Sequence, residues 1–249
     1  MSWAVALYFM ACVFSAAVVR GYSGFGFSLL AVTSLSLVLP PAETIPPIFM
    51  MEVAASLSLL PGIWKDIHWR ALALLALGCL AGTPIGVAFL ASVPAAPMKI
   101  AMGLAVLAAV VLLSSGYVRK SMPSGPETVA TGAVAGVLNG AFGIGGPPVV
   151  IFFFSSPAGA AISRASLIAF FIGTDTMGLA FLAREGLVTA DSFTRFLVMI
   201  PALLVGQWVG ARSFRGTYAA QFRRWVLRLL AVLALLTGLQ GAVAVLAGS

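Results

Sequence analysis

Two stretches of this chain carry no charged side chain at all, Ala71 to Met98 and Thr128 to Ser163. Each exceeds the roughly 20 apolar residues that take a helix across the hydrocarbon core of a bilayer. A segment in lipid must pair its own backbone N–H and C=O groups, and the α-helix does so within one segment. Composition agrees: 61% of the 249 residues are hydrophobic and 8% are charged, against about 25% charged in an ordinary soluble domain. Mean hydropathy is +1.09. The sequence therefore reads as an all-α polytopic membrane protein, with the lipid bilayer as its solvent, and a water-soluble fold is excluded.

The net charge of +7 does not point to nucleic acid, because the bases form no patch interleaved with aromatics. They lie between apolar segments, where lysine and arginine report orientation. Cys12 and Cys79 both fall inside apolar segments, so two free thiols are expected, with no disulfide framework, no metal site and no cofactor. The opening MSWAVALYFM has no basic residue ahead of its apolar run and is expected to remain as structure rather than be cleaved as a signal peptide. GIGGPP lacks the third glycine of a dinucleotide turn, and there is no glycine-lysine-serine/threonine phosphate loop. His68, beside Trp64 and Trp69, reads as an interfacial residue of an aromatic belt. With no second histidine to build a catalytic set, a membrane-embedded enzyme is disfavoured.

Five apolar segments are followed by five more. The first set runs from Trp3 to Val19, Phe25 to Leu39, Thr44 to Ile63, Trp69 to Ala91 and Pro97 to Gly116. The second runs from Thr128 to Leu138, Ile144 to Ser155, Ala165 to Ala183, Phe193 to Arg212 and Gln221 to Leu246. Gly21, Gly24 and Gly26 match Gly140, Gly143 and Gly145 at an offset of 119, and Gly82 and Gly86 match Gly206 and Gly210 at 124. The division that follows is a first repeat over 1–118, a cytoplasmic linker over 119–127 and a second repeat over 128–249. An odd number of segments makes the second copy enter the membrane inverted. Placing Lys65 and Arg70 in the cytoplasm puts Arg119, Lys120, Arg164, Arg212, Arg215, Arg223, Arg224 and Arg228 there too. Lys99, Arg184 and Arg195 fall outside, and Arg20 is left over. That bias supports an inverted-topology repeat with both termini outside.

GYSGFGF (Gly21 to Phe27) and NGAFGIGG (Asn139 to Gly146) interrupt this pattern. Glycine costs a helix roughly 1 kcal/mol relative to alanine, so three in seven residues break it where hydropathy still says membrane. The first two segments of each copy are short, which suggests hairpins that turn inside the bilayer, as irregular backbone does when it lines an aqueous cavity. The two tips are expected to meet near the midplane. A helix starting at each aims unsatisfied N–H groups and its positive dipole end there, which favours an anion. Candidate binding residues are Arg20, Ser23, Gly24, Gly26, Asn139, Gly143, Gly145 and Gly146. The competing reading of the glycines is close helix packing, which is preferred for Gly82, Gly86, Gly206 and Gly210.

Glu52 and Asp175 stand in mid-segment at nearly equivalent positions of the two copies, where a charge costs about 2.5 to 3.5 kcal/mol on insertion scales. Both should face the interior. They are candidate proton-coupling groups, since a carboxyl taken out of water favours its neutral form. Alternatively each is an ion-pair partner for Arg20 or a hydrogen-bond anchor for a broken helix. Arg20 is either a bidentate ligand for an oxyanion or an ordinary arginine at the cytoplasmic side.

GYSGFGF, GAFGIGGPPVV (Gly140 to Val150) and the paired glycines of GTPIG and GQWVG together resemble the TauE/SafE sulfite exporter family of membrane permeases. The resemblance covers nearly the whole chain. It implies export or permeation of sulfur-containing or carboxylate anions, such as sulfite or organosulfonates, across a prokaryotic cytoplasmic membrane. The tip positions of the family carry over to Gly24, Gly26, Gly143, Gly145, Gly146 and Pro147, while Phe27 and Ser28 stand where the second copy has glycine and proline. The function expected is a secondary transporter of a small anion working by alternating access, with protons as coupling ion. A passive anion channel is the alternative, and the oligomeric state is left open.

Overall fold

A computed structural model describes residues 3–117, 121, 123–213 and 219–247. Among these the chain is all-α, with ten helices and no strand. The first half contains α1 (Trp3–Ser23), α2 (Phe27–Leu35), α3 (Pro41–Ile63), α4 (Trp69–Ser92) and α5 (Ala95–Ser114). The second contains α6 (Gly125–Phe142), α7 (Gly146–Phe154), α8 (Ala160–Arg184), α9 (Ala190–Ser213) and α10 (Ala219–Leu246). Seven of them, α1, α3, α4, α5, α8, α9 and α10, are long and apolar enough to cross a membrane. Helices α2 and α7 have nine residues each, about 13 Å at 1.5 Å per residue, less than half of a hydrocarbon core about 30 Å thick.

Only the second arm of each hairpin is short, not both arms as the hydropathy suggests. Helix α1 continues past Val19 through Arg20, whose charge is met inside the protein, and stops where Gly24 takes φ 81°. The Gly24 N–H bonds the Arg20 carbonyl at 2.7 Å. Helix α6 begins ahead of Thr128 because Ser124 and Glu127 form a capping box. It ends at Gly143, φ 69°, where the Gly143 N–H bonds the Asn139 carbonyl and the Ile144 N–H reaches back to Leu138, a Schellman-type stop that glycine alone adopts freely. Of the basic residues used to orient the chain, Arg119, Lys120 and Arg215 lie outside the described residues.

Packing rests on glycine faces. Helices α4 and α6 run parallel with their backbones in contact: a Cβ at Gly82 would lie 2.1 Å from the Ala133 carbonyl oxygen, and one at Gly132 2.2 Å from that of Leu75. Helices α1 and α9 repeat this arrangement, with Gly206 on Phe14, Gly210 on Val18 and Gly21 on Gln207. Small residues permit this approach where lipid supplies no hydrophobic drive between helices. Gly82, Gly86, Gly206 and Gly210 are thus packing glycines. Helices α5 and α10 lie antiparallel, Gly103 meeting Ala234 and Gly241 meeting Ala96. Helices α3 and α8 pack with Phe49 against Gly178.

Polar contacts fix the two ends of the bundle. At one end Arg195 pairs with Glu43 at 2.9 Å, and Lys99 donates to Gln240, which donates to the Leu37 carbonyl. At the other the His68 N–H donates to Ser166 Oγ at 2.9 Å. His68 also caps α4, its Nδ1 accepting the Ala71 N–H at 3.2 Å, and the Trp64 and Trp69 rings beside it lie 4.7 Å apart and exposed, as an interfacial pair would.

Candidate functional site

Helix α2 starts after Gly26, which takes φ 92°, and α7 starts after Gly145. Both breaks open on one cavity, lined by Gly26 and Ser28 from the first hairpin, Gly143, Gly145 and Gly146 from the second, and Glu52, Asn139 and Phe171. Its volume is about 20 Å³, room for one water molecule. Two helix N-termini, each with backbone N–H groups that the helix itself cannot satisfy, therefore share one small chamber.

Around it lie charged side chains almost wholly removed from solvent: Arg20, Glu52 and Asp175 are each 1% exposed. Arg20 Nη1 forms an ion pair with Glu52 Oε1. The Ser28 hydroxyl donates to Glu52 Oε2 at 2.9 Å, and Arg20 Nη2 donates to Ser56 Oγ at 2.6 Å. The Arg20 guanidinium also lies 5.7 Å from the centre of the Phe171 ring, within cation–π range. Both Glu52 oxygens are occupied, as a buried carboxylate requires.

The second half holds a similar pair with different chemistry. Asn139 Nδ2 donates to Asp175 Oδ1 at 2.8 Å, and Asn139 Oδ1 accepts the Gly145 N–H at 3.1 Å. Asn139 thus anchors the break before α7 to Asp175. Asp175 Oδ2 has no hydrogen-bond partner among the described residues. Arg20 and Asn139 are 119 residues apart, Glu52 and Asp175 123, so the first half carries an arginine–glutamate pair and the second, at a similar spacing, an asparagine–aspartate pair. One buried guanidinium then faces two buried acids.

The residues singled out from sequence divide into two groups. Gly26, Glu52, Asn139, Gly143, Gly145 and Gly146 line the chamber. Arg20 stands behind Glu52, and Asp175 behind Asn139. Ser23 lies outside it: its hydroxyl donates to the Val19 and Phe25 carbonyls and shapes the turn. Gly24 is at the tip, but a side chain there would point at Arg164. Glu52 pairs with Arg20, and Asp175 accepts from the Asn139 amide whose oxygen takes the Gly145 N–H. Ser28, Ser56 and Phe171 were not anticipated. Their signal was helical spacing: Ser56 follows Glu52, and Phe171 precedes Asp175, by four residues, one turn along the same face.

Comparison with known proteins adds an independent line. The family model described as sulfite exporter TauE/SafE matches residues 9–237. The probable sulfite/organosulfonate exporter TauE of Cupriavidus necator is 28% identical over 193 residues, 76% of this chain and 75% of that protein. No solved structure matches.

Proposed function

The chain belongs to the sulfite exporter TauE/SafE family, and from that premise we propose that it is a secondary transporter, exporting sulfite or organosulfonates by alternating access. The observation that carries the reading is the chamber shared by the starts of α2 and α7. Two positive helix ends attract an anion of three or more oxygens, and the glycines leave no side chain in its way. Ser28 and Asn139 supply polar contacts beside the helix ends.

In this reading the protein is two inverted five-helix units, 1–118 and 128–249 about the linker, in a prokaryotic cytoplasmic membrane with both termini outside. What supports the inversion is that α5 and α10 pair antiparallel, and that α1 lies along α9 as α6 lies along α4. Each such pair swaps one unit for the other. Alternating access would rock these units about the chamber.

Coupling follows from charge balance. An incoming oxyanion competes with Glu52 for Arg20, which offers carboxylate and sulfonate the same bidentate fork. Glu52 is released into a low-dielectric chamber and takes up a proton, while Asp175, with one oxygen unpaired, is the second proton carrier. Anion and proton then move together, so net export follows the outward gradient of the anion itself, while an inward proton gradient imposed on a vesicle drives accumulation inside it. The test is flux of sulfite, organosulfonate and thiosulfate into proteoliposomes with and without an imposed proton gradient. Uphill accumulation driven by the gradient supports the transporter. Flux that only dissipates an anion gradient supports a channel.

A further inference from the structure

A second cavity, of about 280 Å³, adjoins the chamber at the end of the bundle that carries His68. Phe25, Gly26, Leu29 and Leu113 belong to the walls of both cavities. Beyond these shared residues it is closed by Val150 of α7 and by Val226 and Leu230 of α10. The lining is overwhelmingly apolar. Of its few hydroxyls, that of Ser23 is already spent on two backbone carbonyls. The Phe25 ring stands at the boundary, tilted against Phe154 with centroids 6.1 Å apart.

An inorganic anion gains nothing from such a surface, since it would shed water without meeting a donor. An alkyl chain gains the full transfer energy. The chamber, with room for one water molecule, leaves no space for an alkyl chain, and the apolar cavity lies directly behind the walls that the two share. We infer that this cavity is a tail subsite: it holds the hydrocarbon part of an alkanesulfonate whose sulfonate group is bound between the two hairpin tips. The inference rests on the proposed anion site and adds to it the class of substrate preferred, amphiphilic sulfonates of several carbons over sulfite. Phe25 is the partition between head and tail.

The experiment measures inhibition of radiolabelled sulfite exchange in proteoliposomes by methane-, ethane-, butane- and hexanesulfonate. Wild-type protein should bind each longer sulfonate more tightly, by roughly fourfold per methylene if each CH₂ is fully buried. Val226→Phe and Val150→Phe fill the cavity from opposite walls and should flatten the series, lowering the ratio of hexanesulfonate to sulfite affinity at least tenfold. The ratio is taken within one protein, so loss of folded material cancels, and either variant suffices if the other fails to insert. Equal inhibition by all four sulfonates in the wild type overturns the tail subsite while sulfite exchange keeps the anion site. A chain-length dependence that both variants leave intact places the tail elsewhere and also overturns it. Absence of any sulfite or sulfonate exchange would instead remove the proposed function, a result distinguishable from both.

Discussion

Glu52 and Asp175 are both buried acids in mid-helix, yet their surroundings predict different responses to the same substitution. Glu52→Gln takes from the buried Arg20 guanidinium its ion-pair partner, and breaking such a pair costs about 3–5 kcal/mol. The variant should insert poorly and melt early in detergent. Replacing both partners, as in the Arg20→Met, Glu52→Met double variant, removes the stranded charge and should recover most of that stability with no transport. Asp175→Asn keeps an oxygen for Asn139 to donate to and should cost about 1 kcal/mol, one neutral hydrogen bond. It is therefore the cleaner probe of coupling: exchange should persist while gradient-driven accumulation disappears. Equal loss of both in an Asp175→Asn protein of normal melting temperature would reduce Asp175 to an anchor for α7. The tip glycines also separate. A Cβ at Gly26 meets only Val19 Cγ1, at 3.6 Å, so Gly26→Ala has room and bears only the cost of its left-handed φ, about 1–2 kcal/mol. It should fold and bind sulfite more weakly, because Gly26 is a wall of the chamber. At Gly145 the Cβ would lie 2.7 Å from Asn139 Cβ and 2.8 Å from the Ala135 carbonyl oxygen, so Gly145→Ala breaks the cap and should lose thermal stability first. The identity of the chamber glycines and both acids was legible in the sequence, because glycine and carboxylate are costly in lipid. The pairing was not, since Arg20 and Glu52 are 32 residues apart and only the reach of the Arg20 side chain from α1 to α3 joins them.

The short helices were legible for the same reason that the long arms were misjudged. Hydropathy stops at a charge, so the first arm reads as ending at Val19, yet the backbone runs on to Ser23 because Glu52 neutralises Arg20 inside the bundle. In α6 the capping box from Ser124 to Glu127 was written in the sequence but sits in a segment whose proline, serine and glutamate read as linker. The glycines of α6 were likewise visible at four-residue spacing, Gly132, Gly136 and Gly140, facing Gly78, Gly82 and Gly86 of α4. Their partner was not, because spacing names a face and not what it meets. The contact predicts a distinct phenotype. A Cβ at Gly136 would lie 2.9 Å from the Cys79 Cα and from the Thr83 nitrogen, so Gly136→Leu must separate two backbones rather than move a side chain. Overpacking of this kind costs about 1–3 kcal/mol and should lower the melting temperature in detergent, with sulfite flux falling in proportion to folded protein and its KM unchanged. A raised KM at wild-type melting temperature would instead place Gly136 in the transport path.

The arrangement of the whole molecule turns on which residues share an end of the bundle. Arg195 holding Glu43, and Gln240 linking Lys99 to Leu37, gather the α2–α3 and α4–α5 turns with the start of α9 and the last turns of α10. His68 on Ser166 joins the α3–α4 turn to the start of α8 at the opposite end. The charge bias of the sequence predicts which of these ends faces outside and which the cytoplasm, because lysine and arginine record orientation loop by loop. What it did not supply was the packing of α1 on α9 and α6 on α4, which depends on backbone approach rather than charge. Single cysteines tested with a membrane-impermeant thiol reagent, in a background lacking Cys12 and Cys79, decide the orientation. Cysteine at Ser92 and at Gly186 should be labelled in intact cells. Cysteine at Lys65, at Ser121 and at Gly216, the last outside the described residues, should be labelled only after the membrane is opened. In the proposed inverted repeat the positions Ser92 and Gly216 correspond by sequence, so inversion requires them on opposite faces. Labelling of both in intact cells would mean that the units run in the same direction. The starts of α2 and α7 would then enter from one side of the membrane, and the shared chamber on which the proposed anion site depends would be lost.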